Sequence, residues 1–106
     1  MIKVDVIKTD AHYTSMEVSG HAGSGDAGYD LVCAGVSSIM TGALNAFDSF
    51  DDSLNLSLTE EPRITIELTN KDELNQNLFR FVLIQLETVA HMYPEYIRIL
   101  EKEVTS

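Results

Sequence analysis

Cysteine, tryptophan, proline and basic residues are all scarce in this 106-residue chain: one Cys, no Trp, two Pro, and seven Lys plus Arg against 17 Asp plus Glu. A single cysteine excludes an internal disulfide and any multi-cysteine metal site. In isolation such a residue is ordinarily a small buried apolar group. The net charge of −10 argues against nucleic acid as a direct ligand, because phosphate binding needs clustered Lys and Arg. It suits a basic protein partner drawn in by long-range attraction. Long apolar runs are missing too, with none near the ~20 residues of a membrane span. The opening Met1-Ile2-Lys3-Val4-Asp5-Val6 alternates like a strand and has no signal-peptide stretch, so a cytoplasmic protein that does not engage membranes is expected. With 44% apolar and 23% charged residues, the composition is that of one globular domain spanning residues 1–106.

What is present is organised as alternation and periodicity. Ile2, Val4 and Val6 predict a first strand, Thr9-Asp10-Ala11-His12 supplies a turn, and Tyr13 to Gly20 predicts a second strand with Met16 and Val18 on one face. Leu54, Leu56 and Leu58, then Ile64, Ile66 and Leu68, alternate with polar residues on either side of Glu60-Glu61-Pro62 and predict a second hairpin. Between the hairpins, Val32, Val36, Ile39, Ala43 and Phe47 recur at helical spacing, with Asp30 as the expected N-cap. A second helix is expected from Lys71 to about Met92, ended by Tyr93-Pro94, and a last strand from Tyr96 to Val104. The expected fold is therefore α+β: a ββαββαβ sandwich with two helices packed on a mainly antiparallel sheet. Leu78 to Ile84 is apolar except for Arg80, wider than one stripe against a sheet requires. The first helix or a second copy of the chain is the expected cover, the latter making a homodimer.

Four of the six glycines fall between Gly20 and Gly28, so no regular element is expected to run through that stretch. Gly23, Gly25 and Gly28 match a dinucleotide fingerprint only by letter, since no βαβ unit follows. The stretch is bracketed by His21 and Cys33. An N-cap at Asp30 would put Cys33 in the first helical turn, where free N–H groups and the helix dipole favour thiolate. An imidazole folded back over the loop would take the thiol proton and later protonate a leaving amine. Plainer readings stand beside this one. His21 could bond a carbonyl at a strand end and Cys33 could be helix packing. Asp30 is a helix cap or a residue that orients His21, and Ser37, one turn past Cys33, lines a site or packs. Asp26 reads as a solvated loop acid. His12 reads as an exposed turn residue, and His91 as a cation at a helix C-terminus. Asp51-Asp52 and Glu60-Glu61 lack the spacing of a calcium loop, and neither metal nor cofactor is expected.

The segments Gly20-His21-Ala22 and Gly28-Tyr29-Asp30-Leu31-Val32-Cys33-Ala34-Gly35-Val36-Ser37 resemble those of the Prp ribosomal-processing cysteine proteases of Gram-positive and related bacteria. The likeness extends over essentially the whole chain, including Tyr93-Pro94 before the last strand. It implies a cysteine endopeptidase that removes an N-terminal extension from the twenty-seventh protein of the large ribosomal subunit, a basic partner. It also implies His21 as general base, Cys33 as nucleophile and Asp30 as an acid of less settled role. The glycine-rich loop would then be a gate that orders on substrate binding. The contrasting expectation is a ribosome-associated binding module that uses the same loop to dock and has no catalytic thiol.

Overall fold

The structure is a computed structural model whose described residues are 1–20, 27–50, 55–58 and 63–105, with side chains described for all of these except 27–30 and 55–58. The elements run β1 (Ile2–Thr9), β2 (His12–Ser19), α1 (Ala27–Phe50), β3 (Asn55–Leu58), β4 (Arg63–Glu67), α2 (Glu73–Met92) and β5 (Ile97–Val104). This is the expected ββαββαβ order. The sheet has five strands in the order β3-β4-β2-β1-β5. Its β1–β2, β2–β4 and β3–β4 pairs are antiparallel, while β1 and β5 run parallel.

Alternation fixes which face is covered. Ile2, Val4 and Val6 are buried, while Lys3 between them and Ile7 after them are exposed. The buried set continues through Met16, Val18, Ile66 and Ile97, so both helices cover one face and leave the other to solvent. The β1–β2 connection is the two-residue loop Asp10-Ala11, and both residues have positive φ, 51° and 70°. That geometry matches the right-handed twist of the flanking strands. The β1–β2 register shifts between Ile7 and Lys8, with Ile7 opposite Ser15 and Lys8 opposite Tyr13. This bulge lets Tyr13 and Met16, three residues apart, both face inward.

α1 presents Val32, Val36, Met40, Ala43 and Phe47 to the core, and α2 presents Phe79, Val82, Leu83 and Leu86. Leu31–Phe50 is long and apolar enough by length and composition to cross a membrane, contrary to the expectation of no such stretch. The average is raised by this buried row and by the alanines. The outward face carries Ser37, Ser38, Thr41 and Asp48, all exposed.

α2 begins two residues later than expected because Asp72 caps it. Its Oδ1 accepts from the Asn75 N–H at 2.9 Å, and the Asn70 Oδ1 accepts from the Asp72 N–H at 3.1 Å. The helix is tied to β2 at Tyr13, whose ring stacks on Phe79 with centroids 4.8 Å apart. Arg80 Nη1 donates to the Tyr13 hydroxyl at 2.9 Å, a bond that raises the pKa of an already permanently charged guanidinium. The Gln76 amide also acts as a strand substitute. Its Oε1 accepts from the Tyr13 N–H and its Nε2 donates to the Tyr13 carbonyl, each at 2.8 Å.

Candidate active site

Where β2 ends, the sheet and α1 enclose a cavity of about 280 Å³. Its described lining residues are Ile2 from β1, Val18, Ser19 and Gly20 from the end of β2, Ile64 from β4, and Cys33, Val36, Ser37, Met40 and Thr41 from α1. The α1 contribution follows helical geometry: Cys33, Ser37 and Thr41 stand on one line at successive turns, and Val36 and Met40 on the adjacent inward line. Ile64 reaches the cavity because the β2–β4 register pairs it with Val18.

Cys33 is half-buried and unpaired as a thiol. The helix that carries it starts earlier than the sequence predicts. α1 begins at Ala27, so Asp30 is its fourth residue and not its N-cap, and Gly28 is helical and not part of a loop. The first turn still suits these residues, since an acid there is favoured by the dipole. An Asp before an apolar periodic run simply looks like a cap. Cys33 is therefore the seventh helical residue, beyond the four free N–H groups, and the dipole stabilises a thiolate there less than in the first turn. A reactive thiol at this position would depend more on a neighbouring base than on the helix.

None of the described lining residues is a histidine or an acid. His12 lies at the far end of β2 from the cavity, with its Nδ1 3.1 Å from the Asp10 carbonyl. His91 is exposed in the last turn of α2. His21, Gly23, Gly25 and Asp26, and with them the expected gate, lie outside the described residues, as does the Asp30 side chain. Gly20, to which His21 is joined, borders the cavity directly. Its φ is +138°, and a Cβ there would stand 2.8 Å from Ile2 Cα and from the Met1 carbonyl oxygen. Only glycine fits this seat. Met40, Thr41 and Ile64 went unnoticed in the sequence. The first two are readable as i+7 and i+8 from Cys33, whereas Ile64 requires the strand register.

A thiol opening onto an apolar cavity is an arrangement that a cysteine hydrolase can use. The chain belongs to the Prp family of cysteine proteases: the family model described as cysteine protease Prp matches residues 1–98. It is similar to the ribosomal processing cysteine protease Prp of Mycoplasma pneumoniae, 34% identical over 92 residues that cover 87% of this chain and 91% of that one. It is also similar to the Staphylococcus aureus protein of the same name, 32% identical over 112 aligned positions, 93% of this chain and 97% of the relative. A crystal structure of the essential S. aureus Prp protease with a substrate peptide superposes with a TM-score of 0.88 at 27% identity, covering 96% of this chain and all of that one. This protein is thus a cysteine protease of the ribosomal-processing type.

Proposed function

We propose that this protease removes the N-terminal extension of the twenty-seventh protein of the large ribosomal subunit, and so supports ribosome assembly, with Cys33 as nucleophile and His21 as general base. The observation that carries the assignment of the nucleophile is that Cys33 is the chain's one cysteine and opens onto the cavity at the end of β2. His21 is favoured over the other two histidines because its chain neighbour Gly20 borders that cavity while His12 and His91 do not.

In this reading His21 removes the Cys33 proton and the thiolate attacks the scissile carbonyl. The tetrahedral intermediate collapses to a thioester as the imidazolium protonates the departing amine. Water, deprotonated by His21, then hydrolyses the thioester and restores the thiol. Asp30 orients His21 or favours charge within the first turn of α1, and Ser37 lines the approach one turn beyond the sulfur. The reaction needs neither metal nor cofactor. The net charge of −10 steers a basic ribosomal protein toward the enzyme. The same reading places the protein in the cytoplasm with its substrate. It takes a second copy as the cover for the apolar row on α2, where Phe81 is 65% and Met92 60% exposed.

The test is incubation of the precursor ribosomal protein with wild type and with Cys33→Ser, read by intact-mass spectrometry. A shortened product with wild type alone is expected; intact precursor with both proteins overturns the assignment.

A further inference from the structure

We propose that the free edge of β5, with the sheet face beside it, is a docking strip for an extended acidic segment of a partner protein, added to the sheet as a further strand. This surface lies apart from the cavity and does not depend on the peptidase reading. β5 is the outermost strand at its end of the sheet and, among the described residues, pairs only with β1. Its other edge therefore presents backbone N–H and C=O groups along eight residues, a template for strand addition. Proline or a bulge would blunt such an edge. β5 has neither, and its register with β1 is continuous from Ile97 to Val104.

The side chains select the occupant. On the face away from the helices, the register sets Arg98 beside Lys3, Leu100 beside Asp5 and Lys102 beside Ile7. Lys3, Arg98 and Lys102 are exposed and pair with no acid among the described residues. In a chain of net charge −10, this strip thus sets three cations against one acid, Asp5. Leu100 is 51% and Val104 40% exposed beside them. A strand laid along β5 meets Arg98, Leu100, Lys102 and Val104 at every second position on this face. Its complement alternates acid with aliphatic, because opposite charges and apolar pairs across strands stabilise each other. Toward α2 the same strand meets Ile97 and Ile99, then Glu101, whose charge acts on Arg80. Other occupants fit less well. A second copy joined antiparallel along this edge, with its helices on the same side, meets like charges in the two registers of greatest overlap: Arg98 opposes Lys102, or Glu101 opposes Glu101. Single-stranded RNA lies on sheets through aromatic stacking, and this face carries no Phe, Tyr or Trp among the described residues. The basic substrate proposed above is repelled by the three cations, so the partner is a different protein.

The test uses two fluorescent peptides, Val-Thr-Glu-Thr-Val-Val-Glu-Val and the same sequence with Lys in place of Glu. Antiparallel to β5, their charged residues fall opposite Lys102 and Arg98. The net charge of the protein favours the Lys peptide, so a preference for the Glu peptide can arise only locally. Fluorescence anisotropy should give a Kd about tenfold lower for the Glu peptide, from two matched against two opposed charge pairs. The pair Arg98→Glu and Lys102→Glu should reverse that order. Should that protein not fold, Arg98→Gln with Lys102→Gln should abolish the preference. Amide exchange should slow along residues 97–104 when the Glu peptide binds. Equal or tighter binding of the Lys peptide to wild type, no binding of either peptide at millimolar concentration, or protection that spares β5 overturns the proposal. So does a single-stranded RNA oligonucleotide that binds tighter than the Glu peptide and is lost with the charge-reversed pair, which would give the strip to nucleic acid. A sedimentation coefficient that falls in the charge-reversed pair, with peptide affinity unchanged, would give the edge to a second copy and also overturn it.

Discussion

Gly20 carries more constraint than any other described residue near the site. A methyl group there would meet two backbone atoms of the Met1–Ile2 peptide at 2.8 Å, and backbone cannot yield as a flexible side chain does. Gly20→Ala is expected to destabilise the protein by about 2 kcal/mol or more, combining positive-φ strain with displacement of Met1 and Ile2. Urea unfolding measures the loss, and precursor cleavage should fall with it because Ile2 lines the cavity. Ala11 is the opposite case. An alanine at φ 70° is strained where glycine is not, so Ala11→Gly should stabilise the fold by about 0.5–1 kcal/mol. An unchanged or lower urea midpoint would refute this. For Cys33, iodoacetamide should alkylate the wild-type thiol faster than free cysteine near neutral pH, and His21→Ala should slow it. Because Cys33 sits one turn deeper than the free N–H groups, the His21 contribution is expected to dominate.

At the level of elements, the tie between α2 and β2 is a set of polar bonds around Tyr13. Gln76→Leu keeps the volume but leaves the Tyr13 N–H and carbonyl without their amide partner. A cost of about 2–3 kcal/mol is expected for two part-buried backbone groups, with faster amide exchange at Tyr13 as its local signature. The elements themselves were legible where pattern and structure share a period. Both hairpins and α2 follow from alternation and from apolar residues at helical spacing, and Asp72 is a recognisable cap. The start of α1 was misread because Asp30 satisfies the rules for a cap equally well in the first turn. The bulge opposite Ile7 was announced only by Tyr13 and Met16 falling out of phase. The Gln76 tie left no signal, since a glutamine on a helix is ordinarily solvated. Half of the candidate site could be read along α1 from Cys33. Its other wall, Ile64, depends on pairing between strands separated by a helix.

For the molecule as a whole, charge and surface make separate predictions. With a net charge of −10, association with the basic ribosomal protein proposed as substrate should be electrostatically assisted. Raising the ionic strength from about 0.02 to 0.3 M should lower kcat/KM several-fold while leaving kcat nearly unchanged. Salt-independent kcat/KM would show that steering plays no part. The exposed row on α2 (Leu74, Phe81, Ile84 and Met92) predicts that sedimentation velocity finds a dimer in wild type and a monomer in Phe81→Glu.

The parallel pairing of β1 with β5 has a consequence in time. Ile2 lies beside Ile97, and its N–H donates to the Tyr96 carbonyl at 2.9 Å, so one wall of the cavity is held by the last strand to be synthesised. Contacts between strands so far apart in sequence are slow to close. A chain in which β5 has not yet paired lacks this clasp and cannot present the finished cavity. The cavity is therefore completed only when β5 has docked beside β1.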